Sequence, residues 1–204
     1  MNVHVAIKSC LKYSDRRAAC EDTWLQHIDW EWNFIIGRDA NGGLPTVPNA
    51  IVCDVDDGFG RMAPKVWCAC VYALENNAHR LLIVDDDTYV STRIRDVSPR
   101  GDYVGFVRTQ GFGALEHVPY IQGSAYWLSA KAMEFIVEAK GIMVPGIIDD
   151  GAVGRALDGK VALTHDRRYW PGPEASPILM NNNLITTHKC LPANMRFIHR
   201  NAQL

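Results

Sequence analysis

The run Leu81-Leu82-Ile83-Val84-Asp85-Asp86-Asp87 constrains this chain more than any other stretch. Four consecutive apolar residues read as a β-strand buried on both faces. The strand then runs straight into three carboxylates. Side chains alternate along an extended chain, so Asp85 and Asp87 share one face and Asp86 takes the other. Two carboxylates about 4 Å apart repel by roughly 1–4 kcal/mol between bulk water and a protein surface. A divalent ion that takes oxygen ligands, Mn²⁺ or Mg²⁺, is the simplest compensation. Open α/β sheets bind ligands beyond the carboxyl ends of their strands, where this cluster sits. The stretch therefore points to a metal–diphosphate site; the alternative is a solvated acidic turn.

The flanking sequence alternates strand and helix signals. Residues 3–9 read as a first strand, with Ser14 as the cap of a helix after it. Cys20, Trp24 and Ile28 recur on one helical face, and Arg17 and Glu21 are placed to pair on the solvent side. Residues 32–37 and 50–55 read as strands, separated by a turn at Asn41-Gly42-Gly43. A helix over 62–77 follows, with Pro64 in its first turn and Val66, Ala69, Cys70 and Ala73 as its buried stripe. Beyond the acid cluster, strands are expected over 103–108, 120–128 and 161–164, with a helix capped by Ser129 and a short helix from Asp149 to Leu157. Gly111-Phe112-Gly113, Trp170–Pro173 and Asn181–Asn183 read as loops, and the last segment, 184–197, carries His188. This order predicts an α/β fold with a doubly wound, mostly parallel sheet. No linker interrupts it, so residues 1–204 form one domain.

The totals exclude several classes. The net charge of −2 gives no overall basic excess that would advertise nucleic acid, although Arg93, Arg95 and Arg100, with Arg167-Arg168, Arg196 and Arg200, are candidates for tracking a phosphate backbone. No stretch of 18 or more apolar residues offers a membrane span. Six cysteines lie scattered in apolar segments without a CxxC pair, which reads as reduced core thiols rather than zinc ligands. The GxxxxGK[ST] phosphate loop is absent, which argues against a P-loop nucleotidyl- or phosphoryl-transferring enzyme.

Taken in order, six motifs resemble those of the β-1,3-glycosyltransferase family that includes galactosyltransferases and the Fringe proteins. They are Arg16-Arg17 with Thr23-Trp24, then Phe34–Gly37, Lys65 after an acidic aromatic turn, and Asp85-Asp86-Asp87. Tyr120-x-x-Gly123-x-x-Tyr126-x-Leu128-Ser129 and Asp149-Asp150-x-x-x-Gly154 complete the set. The resemblance implies a GT-A fold, a UDP-sugar donor, an Mn²⁺ (or Mg²⁺) ion and an inverting displacement. Residues 1–100 would form the nucleotide-sugar-binding half and residues 101–204 the acceptor-binding half. On the matched positions, Asp87 would ligate the metal, with Asp85 supporting it; a late histidine would complete the site, His188 with His165 and His199 as competitors. Arg16, Lys65, Asp85, Asp86 and Gly123 would bind the donor. Asp150 would be the general base that takes the acceptor hydroxyl's proton.

The chain departs from that family in places. Gly151 stands where the family has Val, and the membrane anchor, stem and disulfides of animal members have no counterpart. A compact cytoplasmic enzyme of a bacterium or a phage-infected cell fits these differences. Its acceptor could be a glycan, a small molecule or a hydroxymethylated base of phage DNA, the last requiring base flipping. Trp170 is a candidate acceptor wall, and the competing readings are a non-catalytic nucleotide-sugar binder and a metal-dependent nucleotidyl- or phosphoryl-transferring enzyme that uses the same acid cluster.

Overall fold

A computed structural model describes residues 1–109, 118–172 and 183–202. The expected loops at Gly111–Gly113 and Asn181-Asn182 lie outside them, as does Pro173. The strands of the main sheet are β1 (Val3–Lys8), β2 (Glu31–Arg38), β3 (Ala50–Asp56), β4 (Arg80–Asp85), β6 (Tyr103–Arg108), β7 (Tyr120–Ser129) and β8 (Leu163–His165). Their spatial order is β3-β2-β1-β4-β7-β6-β8. All run in one direction except β7, which is antiparallel to β4 and β6. The sheet is therefore mostly parallel, as the alternating pattern predicts.

Helices cover both faces. Alternation in β4 sends Leu82 and Val84 into one layer, with Cys20 of α1 (Ser14–Glu21) and Met195 of α5 (Pro192–Ala202). Leu81 and Ile83 enter the other layer, beneath α2 (Met62–Glu75), α3 (Ala130–Glu138) and α4 (Asp149–Leu157). All four side chains are fully buried. Each contributes on the order of 1.5–3 kcal/mol by leaving water. This double-sided burial is what holds the acidic end of β4 in the middle of the molecule. Ser129 caps α3 as expected, accepting a hydrogen bond from the Ala132 amide at 3.2 Å.

A second, small sheet stands beside the acidic end of β4. Its order is β5 (Tyr89–Val90), β10 (Thr186–Thr187) and β9 (Tyr169–Trp170). β10 pairs antiparallel with β5 and parallel with β9.

Several expectations need correction. Helix α1 stops at Glu21, and Trp24–His27 is a separate 3₁₀ turn. Thr23 Oγ1 donates back to the Ala19 carbonyl at 2.6 Å, in competition with the backbone ladder at that end. Cys20, Trp24 and Ile28 nevertheless share one core layer. Ser14 opens α1 but makes no capping bond; the cap position belongs to Tyr13. Arg17 is buried rather than solvent-facing, because its guanidinium serves the Cys10 carbonyl, the Leu11 carbonyl (3.2 Å) and Ser9 Oγ (3.3 Å). The segment from Leu184 onward is a strand and a helix, with Pro192 at the helix's first position, where a missing N–H costs nothing.

Candidate active site

The carboxyl end of β4 opens into a pocket of about 320 Å³ lined by parts of β1, β4, β7 and α4 and by His188. Five carboxylates line it, those of Asp85, Asp86, Asp87, Asp149 and Asp150, against two fixed cations, Lys8 and Arg16. The excess of negative charge suits a bound cation.

Asp85, Asp87 and His188 bring one ligand atom each to within 4.8 Å of one another. His188 Nε2 lies 3.1 Å from Asp87 Oδ1 and 3.5 Å from Asp85 Oδ2. Position 188 is 101 residues from Asp87 in sequence, and the small sheet closes that distance. β10 delivers His188, and the Cys190 amide donates to the Asp87 carbonyl at 2.8 Å. Burial alone would lower the His188 pKa, but the Asp87 hydrogen bond and the charges of both aspartates outweigh it and raise it. Asp87 shows the converse balance: burial would raise its pKa, while His188 and Arg16 hold it below the ordinary carboxylate value. Two carboxylate oxygens and an imidazole nitrogen make a donor set that fits Mn²⁺, and fits Mg²⁺ through its oxygens.

β4 ends at Asp85, and Asp86 and Asp87 lie in a turn closed by the Thr88 amide on the Asp85 carbonyl at 3.0 Å. It is this turn, and not the expected strand alternation, that aims Asp86 away from the other two. Asp86 accepts hydrogen bonds from Ser9 Oγ (2.7 Å) and Arg16 Nη1 (3.1 Å). Burial pushes its pKa up to about 6 against the opposing pull of Ser9 and Arg16. Arg16 also reaches Asp87 Oδ2 at 3.2 Å and stacks on the Tyr13 ring at 4.1 Å. Its side chain stays 27 % exposed on the pocket wall, so it is free to meet a further anion there.

Lys8 is the residue that sequence reasoning missed. Its buried ammonium meets Asp85 (2.9 Å), Asp149 and the Gly123 carbonyl (2.9 Å). Burial disfavours its charge, yet Asp149 and Asp85 raise its pKa overall. The signal was available: a lysine closes an otherwise buried strand, VHVAIK, and lysine is almost never fully buried unless paired. Gly123 leaves room for this contact. A Cβ there would stand 3.3 Å from Asp149 Oδ2 and 3.4 Å from Lys8 Nζ.

Asp150 sits in the first turn of α4 and lines the same pocket as the acid cluster. Its carboxylate accepts from the Gly123 amide (3.3 Å) and the Gly151 amide (2.9 Å). Burial first, and the neighbouring charge of Asp149 second, push its pKa up to about 6 despite those bonds.

Lys65 was expected at the donor, and the structure places it elsewhere. Its side chain is fully buried and donates to the Ser9 carbonyl (2.7 Å) and Asp57 Oδ1 (2.8 Å). Asp57 in turn accepts from the Gly37 and Leu11 amides at 2.8 and 2.6 Å. Lys65 thus ties the ends of three strands together behind the pocket. Trp170 is 41 % exposed and meets Phe106 edge-on at 6.0 Å; it does not line the pocket. The arginines considered for phosphate tracking include several held locally: Arg196 by Asp22, Arg168 by Asp166, Arg93 by the Leu184 carbonyl.

The same architecture recurs in solved structures. A glycosyltransferase involved in the glycosylation of the major capsid of PBCV-1 superposes with a TM-score of 0.57 at 10 % identity, covering 100 % of both chains. WbbM, a bifunctional glycosyltransferase, matches 92 % of this chain over 45 % of its own length, with a TM-score of 0.57 and 10 % identity. The chain has a GT-A-like fold. No protein-family model and no curated protein matches the sequence, so the finer likeness to β-1,3-glycosyltransferases rests on the motifs alone. Among the described residues, no helix is long and apolar enough to cross a membrane.

Proposed function

We propose that this protein is a metal-dependent glycosyltransferase that moves a sugar from a UDP-sugar to an acceptor hydroxyl with inversion. The observation that carries the reading is the convergence of Asp85, Asp87 and His188 in a pocket that Asp150 also lines. The fold shared with two glycosyltransferases supports the same chemistry. Asp85, Asp87 and His188 would hold the divalent ion. Bound there, the ion supplies Lewis-acid stabilisation of the charge that grows on the leaving diphosphate.

The protein's own groups do the rest. Arg16, partly exposed beside Asp87, offers a guanidinium for a phosphate oxygen. Lys8 holds Asp85 and Asp149 in place through ion pairs to both. Asp150 takes the proton from the acceptor hydroxyl as that oxygen attacks the anomeric carbon. A carboxylate with a pKa near 6 is a better base at neutral pH than an ordinary aspartate, and it is still ionised there. One positioned base is the requirement of an inverting displacement. The acceptor is a hydroxyl of a glycan, a small molecule or a hydroxymethylated DNA base.

A UDP-release assay over several UDP-sugars, with glycan and hydroxymethylated-DNA acceptors in parallel, tests the proposal. Release that depends on Mn²⁺ and vanishes in Asp87→Ala supports it. Mn²⁺-dependent UDP binding without release under any acceptor would leave a nucleotide-sugar binder. Turnover of nucleoside triphosphates would assign a different transfer reaction.

A further inference from the structure

Outside the candidate site, two cysteines lie where reactive thiols would. Cys53 is in β3 and 2 % exposed; Cys68 is in α2, which packs on β3, and is half-buried. Both line a cleft of about 280 Å³ together with Asp54, Trp67, Lys140 and Met143. Their side chains interact directly. The other four cysteines are buried in different company. Cys10 faces the Lys65 ammonium at 3.7 Å, and Cys20 and Cys190 meet the carbonyls of Asp86 and Thr187 at 3.5 and 3.6 Å. Cys70 is enclosed in the core beneath α2.

We propose that Cys53 and Cys68 form a thiol–disulfide exchange site, in which a small-molecule disulfide entering the cleft is reduced as the two thiols join in a reversible Cys53–Cys68 bond. Cys68 is the attacking residue because it is the more exposed of the two. The hydrogen bond from Cys53 also lowers its pKa, against the opposing effects of burial, Asp54 and Glu75. The Cys68 thiolate, its proton lost to solvent, attacks one sulfur of the reagent. The reagent's S–S bond breaks, and one half leaves as a thiolate that takes a proton from solvent. The hydrogen bond to Cys68 and burial push the Cys53 pKa up, so Cys53 gives up its proton only as its sulfur attacks the Cys68 sulfur, and the second half, expelled as that S–S bond breaks, leaves as a thiol carrying a proton. Two protein thiols and one small disulfide become one protein disulfide and two small thiols. The new bond closes a loop that carries Asp57 and Lys65, and it brackets Phe59 and Met62 on the rim of the candidate site.

The test uses the whole chain, reduced, desalted and incubated with oxidised glutathione, followed by alkylation, intact mass and peptide mapping. The expected product has lost two hydrogens, counts four free thiols where six were present, and yields a cross-linked peptide pair containing Cys53 and Cys68. Dithiothreitol reverses it. Cys53→Ser is expected to stop at a glutathione mixed disulfide on Cys68, and Cys68→Ser to stay reduced under the same exposure. A wild-type protein that does not react, that halts at the mixed disulfide, or that pairs other cysteines overturns the proposal. These readouts do not depend on glycosyl transfer, so the two proposals stand or fall separately.

Discussion

Replacing Lys8 with methionine keeps most of the aliphatic stem and deletes the ammonium. In the native protein that ammonium stands between Asp85 and Asp149 and donates to the Gly123 carbonyl. Without it, two carboxylates face each other with their cation gone. Removing one partner of a buried ion pair costs about 3–5 kcal/mol, because the remaining charge is stranded. The side chains of Asp85 and Asp149 keep 25 % and 13 % exposure, which places the effect toward the lower end of that range. About 3 kcal/mol in a chain of this size lowers Tm by about 6–12 °C. The sign of the pH dependence follows. In the variant, Asp85, already held above the ordinary carboxylate value by burial, loses the Lys8 charge that opposed that rise, so the folded state gains protons as pH falls. The deficit is therefore complete near about pH 8 and shrinks toward about pH 5. Scanning calorimetry of both proteins at these two pH values, in chelator, measures it. Added Mn²⁺ should narrow the gap at the higher pH. A difference below about 2 °C, or one that widens on acidification, would refute the compensating role given to Lys8.

Three further outcomes follow from the site and its supports. Asp150→Asn should lower kcat for UDP release by about 10²- to 10⁴-fold with little change in donor KM. The wild-type rate should fall as pH drops through about 6, where Asp150 takes up its proton, and steady-state kinetics across pH reads both effects. Asp87→Ala should abolish the Mn²⁺ binding isotherm in titration calorimetry while leaving the melting curve cooperative, since the remaining acids keep Lys8 and Arg16 as partners. Arg17→Leu strips the buried Cys10 and Leu11 carbonyls of a donor and should cost about 1–3 kcal/mol, seen as a lower urea midpoint at unchanged slope. A surface pair with Glu21 would have cost only a few tenths.

The parts of this molecule that were legible in advance are those written in short-range pattern. The apolar run of β4, the Ser129 cap and the first-turn position of Asp150 all depend on neighbours within a few residues. What could not be read is written in long-range pairing. Lys8 meets partners 77 and 141 positions away, and Lys65 reaches the Ser9 carbonyl 56 positions back. Arg17 and Lys65 look like surface cations until the strand ends they serve are assembled. The periodicity through Ile28 misled for a related reason: a 3₁₀ turn keeps the same side chains on the core without continuing the helix. His188 was named in advance only through the family likeness, since a histidine in an apolar run carries no sign of its own that two distant aspartates will meet it.

The dependence on β10 also has a consequence for biosynthesis. A ribosome makes the acidic residues of β4 about a hundred positions before the imidazole that joins them. Chains emerge at a handful of residues per second, so a nascent chain spends on the order of ten seconds with its aspartates exposed and its third ligand not yet made. During that interval the growing polypeptide lacks one member of the trio proposed to hold the ion. Competence would arrive abruptly, when the segment around residue 187 zips onto β5.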